Sequence, residues 1–487
     1  MASTNCWRCL ARPTYQRLLG PASIISSTTS ASTATTNTTA TAAFSTSTTQ
    51  LAAAPTRSTE PGMSKHVRIG KKLILGKKKK PQEKFKAPGP GERKAFRKRI
   101  QLSNDNALEV RGLPELTPEN ITDPQSGGMI MKIPVAIVDQ LRASEAFKAS
   151  QNWKLFRSPH VLIRDETVEL AKLMTEAVEK QETLRLVITG DRGSGKSILG
   201  LQALATGFMN KWVVINIPEG NELTTGNVDY SQVPNSELYA QPSYTVKLMQ
   251  ALYATNPVLA QHRVQLDHLY LPISVSRGTS LATMLNTTKE PEFAWPVFQA
   301  FWKELLLPGR PPIVFSLDGL AHIMRVSDYR SPDFELIHSH DLGLVRLFAD
   351  AIGGKTRFPN GAVVLGVTSK GNAPLLPSMD VALGQAAALQ ARREAASPEE
   401  AAEIEVPQRD PFYRRYDERV FDALRGVRIL DLHGLSKPEA RALMEYWAAS
   451  GIVRMRVDEK TVTEKWTIAG AGVVGEMERS ALYDIRL

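Results

Sequence analysis

Residues 190–197 read Gly-Asp-Arg-Gly-Ser-Gly-Lys-Ser and match G-x-x-x-x-G-K-[ST] at every fixed position. The apolar, β-rich run 184–189 leads into them, and the helix-forming run Ile198-Leu199-Gly200-Leu201-Gln202-Ala203-Leu204 follows. Strand, glycine loop and helix in this order are the context the pattern requires, and they restrict the chain to an α/β fold. Gly190, Gly193 and Gly195 let the backbone curl until successive N–H groups face one phosphate-sized concavity. The helix N-terminus adds partial positive charge, Lys196 an ammonium, and Ser197 a hydroxyl suited to Mg²⁺. On this reading the nucleotide-binding residues are Gly190, Asp191, Arg192, Gly193, Ser194, Gly195, Lys196, Ser197 and Ile198. Their ligand is a nucleoside diphosphate or triphosphate.

Three further apolar runs, 212–217, 313–318 and 362–368, read as buried strands, the first cut off by Pro218. Helical patterns at 166–180, 244–255, 293–306 and 342–352 alternate with them. Such alternation implies a parallel sheet with helices on both faces and a ligand at the strands' carboxyl ends. The run 313–318 ends in Asp318, whose carboxylate is expected to share Mg²⁺ with Ser197. The next residue is Gly319, where many ATPases of this pattern carry a water-polarising glutamate. His322 and Glu335 are the alternatives for that role, though each reads more simply as an ordinary surface or helix residue. Without a positioned base, hydrolysis falls by roughly 10²- to 10⁴-fold. Tight binding with slow or no turnover is therefore expected, and no catalytic residue is assigned. Thr368 and Ser369 close the next strand, either as a pair sensing the γ-phosphate or as hydroxyls capping the turn.

Charge separates the chain into unlike parts. Residues 65–100 hold 15 Lys and Arg against Glu83 and Glu92, while residues 1–64 carry four Arg against Glu60. Since the net charge is +10, residues 101–487 sum to −6. A polyanion therefore finds its attraction in 65–100 and not in the folded body. Lys77-Lys78-Lys79-Lys80 and Arg97-Lys98-Arg99 are separated by Pro81, Pro88, Gly89, Pro90 and Gly91, so no regular element persists between them. Phe85 and Phe96 are available to stack on bases. Two readings stand, a solvated self-repelling linker and an arm for ribosomal RNA, and the lack of an amphipathic apolar stripe beside the charge favours RNA over a membrane surface. No apolar run approaches membrane-spanning length.

The chain divides as follows. Residues 1–60 have no acidic residue before Glu60, arginines at helical spacing and a long Ser/Thr/Ala tract, the composition of a mitochondrial presequence. A secretory signal would need an apolar core that is missing, and plain disorder would not give the arginine rhythm. Cys6 and Cys9, the only cysteines, lie in this segment. Residues 61–150 form a basic, disordered N-terminal extension and 151–380 the P-loop domain. An Ala/Glu-rich stretch, 381–410, reads as a surface insertion. Residues 411–487 form a small helical lid, with Ser436 and Glu439 spaced as a capping box.

The run 186–197, the segment Trp-Val-Val-Ile-Asn-Ile-Pro-Glu-Gly at 212–220, the Asp-Gly ending of 313–319, residues 435–451 and Asn152-Trp153-Lys154-Leu155-Phe156 together resemble the death-associated-protein family of mitochondrial small-subunit ribosomal proteins. The resemblance covers residues 150–487. It implies an AAA+-like P-loop fold holding GTP or GDP with Mg²⁺, in the matrix, in the head of the mitoribosomal small subunit. It also implies contacts with neighbouring small-subunit proteins and, in some members, with the large subunit and with apoptosis. The phosphate site falls on Gly190 to Ser197 and the Mg²⁺ partner on Asp318. No Asn-Lys-x-Asp string reads guanine here, so the choice of guanine rests on the resemblance alone. Two functions follow: a structural ribosomal protein that is at most a slow GTPase, or a P-loop switch or motor acting in assembly or apoptotic signalling.

Overall fold

The computed structural model describes residues 100–482 apart from Asn372 and Ala396, all within one unit, Ala87–Leu487. The presequence reading of 1–60, Cys6 and Cys9, and the basic arm 65–100 save Ile100, lie outside the described residues. In chain order the principal elements begin with β1 (Ile130–Lys132), α1 (Val135–Ala143), β2 (His160–Leu162) and α2 (Asp165–Glu179). Next come β3 (Thr183–Gly190), α3 (Lys196–Met209), β4 (Val213–Ile217), α4 (Pro242–Thr255), α5 (Pro291–Leu305) and β5 (Ile313–Asp318). The hairpin β6 (Val326–Arg330) and β7 (Leu336–His338) leads to α6 (Gly343–Ile352), β8 (Ala362–Val367) and α7 (Pro377–Glu394). Last are β9 (Arg428–Leu432), α8 (Lys437–Ala449), α9 (Glu459–Ile468) and α10 (Val474–Leu482).

Five strands form one parallel sheet in the order β9-β3-β8-β5-β4. Side chains alternate across it as strand geometry demands. Val187, Ile215, Phe315 and Val364 enter one core with α4, α5, α6 and α7. Their neighbours Leu186, Ile188, Val214, Val314 and Leu365 enter a second core with α1, α2 and α3. Both faces are thus covered, which explains the nearly continuous apolar runs of these strands. Register sets Val367 of β8 beside both Ile188 of β3 and Asp318 of β5. The ends of the glycine-loop strand and the acidic strand therefore lie level, one strand apart.

Three boundaries shift from the sequence reading. Residues 100–150 are not all extension: Leu102, Leu116, Ile121, Met131, Ile133 and Leu141 are buried in the second core, with β1 paired antiparallel to β2. Charge concentrated before residue 100 hid this apolar segment. The region 411–487 is not wholly a helical lid either, because β9 is the sheet's edge strand beside β3. Its apolar residues are interrupted by Asp431, which faces outward and accepts from Thr189 Oγ1 at 2.9 Å. Residues 381–394 complete α7, whose Ala382, Leu383 and Ala386 are buried and whose Gln390 Oε1 accepts from Ile429 N at 2.7 Å. The helices after β9 form a third core around Met444, Trp447, Val462 and Met477, joined by Ile130 and Phe156.

α3 lies unusually close to the sheet at Gly207, where a Cβ would come within 2.9 Å of methyl groups on both Val214 and Val314. Gly207→Leu is expected to lower stability by about 3 kcal/mol through overpacking. The measurement is the denaturant midpoint, compared with wild type at unchanged slope.

Candidate functional site

β3 ends at Gly190 and α3 begins at Lys196, so residues 190–196 are the turn between a buried strand and a buried helix. Gly190, Gly193 and Gly195 have φ of 136°, 81° and 103°, a region that disfavours any side chain. At Gly190 a Cβ would also stand 2.4 Å from the Leu432 carbonyl oxygen of β9. The Gly193 carbonyl accepts from Gly475 N at 2.9 Å, which brings the first turn of α10 onto the loop. Ser194 Oγ is buried and has no hydrogen-bond partner among the described residues.

The sequence-named residues divide by position. Asp191, Arg192 and Gly193 are exposed, whereas Ser194 and Lys196 are buried. Lys196 Nζ donates to the carbonyls of Gly190 at 2.9 Å and Asp191 at 2.5 Å. Burial holds its pKa below the ordinary lysine value, and Lys370 adds to this, against Asp191, Asp318 and Asp431. Lys370 is itself paired with the Asp191 carboxylate at 3.2 Å. Ile198, in the first turn of α3, lines a cavity beneath the loop.

Ser197 Oγ donates to Asp318 Oδ2 at 2.7 Å, joining α3 to the end of β5. The same carboxylate oxygen is ion-paired with Lys148, a residue from the segment before β2 that no sequence pattern marked. A cation thus already neutralises Asp318. No group of three or more His, Cys, Asp or Glu side chains is arranged for a metal among the described residues. A divalent ion between Ser197 and Asp318 would therefore need oxygen ligands from a bound phosphate or water.

Other sequence-named residues are placed as follows. Thr368 Oγ1 and N both bond the Ile188 carbonyl, at 2.9 and 3.0 Å, so this hydroxyl is spent in tying two strand ends together. Gly319 has φ 84° and starts a one-turn helix that carries His322. Burial first, then Arg325, lowers the His322 pKa against Asp318, so the ring is neutral. Glu335 is exposed at the tip of the β6–β7 hairpin.

Two residues escaped the sequence reading because their partners are remote in the chain. Arg164, buried at the start of α2, donates to the carbonyls of Ser194 at 3.1 Å and His433 at 3.0 Å and pairs with Glu166 at 2.9 Å. Glu478 of α10 accepts from Asn152 Nδ2 at 3.0 Å. Burial pushes the Glu478 carboxyl up to about 7, against that hydrogen bond. Glu478 and Gln151 line the cavity that Ile198 and Ser194 also line.

Fold and site define an α/β protein in which a glycine loop and an acidic strand end meet at the carboxyl edge of a parallel sheet. A family model described as mitochondrial ribosomal death-associated protein 3 matches residues 161–480. The chain is 48% identical over 495 residues to small ribosomal subunit protein mS29 of Neurospora crassa, with the whole of both chains covered. It is 24% identical over 363 residues to small ribosomal subunit protein mS29 of Schizosaccharomyces pombe, covering 73% of this chain and 71% of that one. This chain belongs to the mitochondrial ribosomal death-associated protein 3 family. Among the described residues no helix is long and apolar enough to cross a membrane.

The raised Glu478 pKa has a consequence for stability. Between the ordinary glutamate value and about 7 the folded state keeps a proton that the unfolded state releases. Stability is therefore expected to fall as pH rises through that window, by on the order of 3 kcal/mol, and to level off above it. Glu478→Gln is expected to remove this slope and to melt higher than wild type at pH 8. Thermal denaturation of both proteins from pH 5 to 8 is the measurement.

Proposed function

We propose that this protein is a structural component of the mitochondrial small ribosomal subunit, in the matrix, which holds a guanine nucleotide with Mg²⁺ and turns it over slowly or not at all. The names of its relatives support the ribosomal part. One observation carries the nucleotide part: the Ser197 hydroxyl and the Asp318 carboxylate, 121 residues apart, meet at 2.7 Å beside the positive-φ loop of Gly190, Gly193 and Gly195. The residues fit the ligand. The loop is too close to Leu432 for a side chain at Gly190, and it holds an orphaned hydroxyl, Ser194, and a buried cation, Lys196.

In this reading the loop amides and Lys196 bind the phosphates, while Ser197 and Asp318 hold Mg²⁺. The ion, when bound, neutralises phosphate charge. The Lys148 ammonium already pairs with the Asp318 carboxylate that would hold the ion. Gly319 supplies no carboxylate at the position after Asp318, and slow or absent turnover in this reading rests on that. A ligand kept at a thousand times its dissociation constant stabilises a fold by about 4 kcal/mol. That benefit suffices to retain a site without turnover.

Millimolar GDP with Mg²⁺ is expected to raise the melting temperature of the purified wild-type chain and to leave Lys196→Ala unmoved. Steady-state phosphate release from GTP is expected to stay at background in both. An unshifted wild-type melting curve would remove the nucleotide from the proposal, and robust Lys196-dependent release would move the reading to a switch or motor.

The basic segment 65–100 supplies the contact with ribosomal RNA in this reading, and the acidic folded body meets neighbouring small-subunit proteins. Deleting residues 65–100 is expected to weaken RNA binding and flatten its dependence on salt, as fewer phosphates are neutralised. Filter binding across a salt series checks this, and an unchanged slope excludes the arm.

A further inference from the structure

Lys148 brings a cation to the acidic strand end from a segment that takes no part in the glycine loop. The turn that carries it is anchored at several points. The Ser144 carbonyl accepts from Asn216 Nδ2 of β4 at 2.9 Å, and Glu145, with φ 56°, pairs its carboxylate with Lys247 of α4 at 2.8 Å. Ala146 and Phe147 are buried, and Phe147 meets Trp153 edge to face with centroids 5.2 Å apart. Lys148 N donates to Gln151 Oε1 at 2.8 Å. From this anchored turn the Lys148 side chain ends on Asp318, 170 residues away in sequence.

One carboxylate oxygen, Asp318 Oδ2, takes both the Lys148 ammonium and the Ser197 hydroxyl, the latter at 2.7 Å. The Asp318 side chain is 13% exposed and that of Lys148 26%, so the pair is shielded from the solvent that weakens surface ion pairs. Around it lies a narrow cavity that Ser197, Gly200, Asn216 and Val367 also line. Neighbouring charges are matched elsewhere, Asp191 by Lys370 and Glu145 by Lys247. Among the described residues, Lys148 is the side-chain cation paired with Asp318. A polyphosphate held by Lys196 meets that carboxylate, and only a cation at Asp318 cancels the repulsion. In the usual P-loop arrangement the cation is Mg²⁺. A divalent ion about 2.0–2.1 Å from Oδ2 and an ammonium bonded to the same oxygen would crowd two positive charges together, so they exclude one another.

We propose that Lys148 is a built-in counterion that takes the place of Mg²⁺ at Asp318, so that the site keeps a nucleoside diphosphate whether or not the ion is present. The assignment rests on the nucleotide reading above and adds the residue that sets its dependence on metal. Without the ion, the Lys148 ammonium neutralises Asp318 while Lys196 and the loop amides hold the phosphates. With the ion, the flexible four-carbon stem of Lys148 lets the ammonium leave Oδ2 without moving the anchored turn. A fold that uses its nucleotide as a structural ligand then keeps that stabilisation when free Mg²⁺ falls.

The test is isothermal titration calorimetry of GDP into the full chain, once in excess Mg²⁺ and once in EDTA. Wild-type affinity is expected to differ by less than about 3-fold between the two conditions. Lys148→Met keeps the reach of the side chain and drops its charge. It is expected to bind GDP at least as tightly as wild type in Mg²⁺ and to lose at least about 10-fold in EDTA, where Asp318 is left uncompensated. Adding Asp318→Asn to Lys148→Met removes both charges and is expected to recover most of that loss in EDTA. Melting temperatures without ligand or ion are expected to follow the same order, with Lys148→Met below wild type and the double variant restored toward it. Wild type whose GDP binding collapses in EDTA overturns the inference and leaves the nucleotide reading standing, and this comparison holds whichever variants fold. Lys148→Met that binds GDP equally with and without Mg²⁺ overturns it as well. Wild type that binds GDP in neither condition removes the nucleotide reading and this inference with it.

Discussion

One guanidinium joins the parts of this site. Arg164 starts α2 on one side of the sheet, yet its donors reach the Ser194 carbonyl in the glycine loop and the His433 carbonyl just after the edge strand. Glu166 satisfies it locally, and Glu439 of the C-terminal helices stands 3.8 Å from its Nε. A buried charge survives only where such partners surround it, because its desolvation is otherwise unrepaid. The planar fork of arginine suits several carbonyls at once in a way that a lysine ammonium does not. Loop, edge strand and C-terminal helices are therefore set in place relative to a common charge.

Much of this architecture was legible because it rests on local pattern. The glycine loop, the strand before it, the helix after it and the acid at Asp318 are all short-range signals. β3, β4, β5 and β8 are continuous apolar runs, and buried parallel strands must be. β9 was missed for a physical reason: as an edge strand it carries Arg428 and Asp431, which break the apolar run that announces a strand. Residues 102–141 were missed because a neighbouring charge block dominated the reading, although their apolar side chains pack beneath α2 and α3.

The side chains that shape the site were legible in part only. Motif spacing identifies Lys196, Ser197 and Asp318, since strand and helix ends constrain them. It is silent on Lys148, Gln151 and Glu478, which reach the site from a short segment before β2 and from the last described helix. Lys148 and Glu478 find their partners far along the chain, and Gln151 matters for the cavity it lines, so nothing in a linear string encodes the proximity. The orphaned amide of Gln151 and the buried carboxyl of Glu478 are what a three-dimensional account adds.

The bond from Gly475 to the Gly193 carbonyl, together with the seat of Gly190 against Leu432, bears on the order in which the molecule is made. A ribosome delivers the glycine loop long before it delivers either partner. The nascent loop therefore has its turn but not its neighbours, and contacts of such long sequence separation are slow to form. The loop therefore reaches its final seat only after translation has passed β9 and α10, and its geometry reports that these distant segments have already come home.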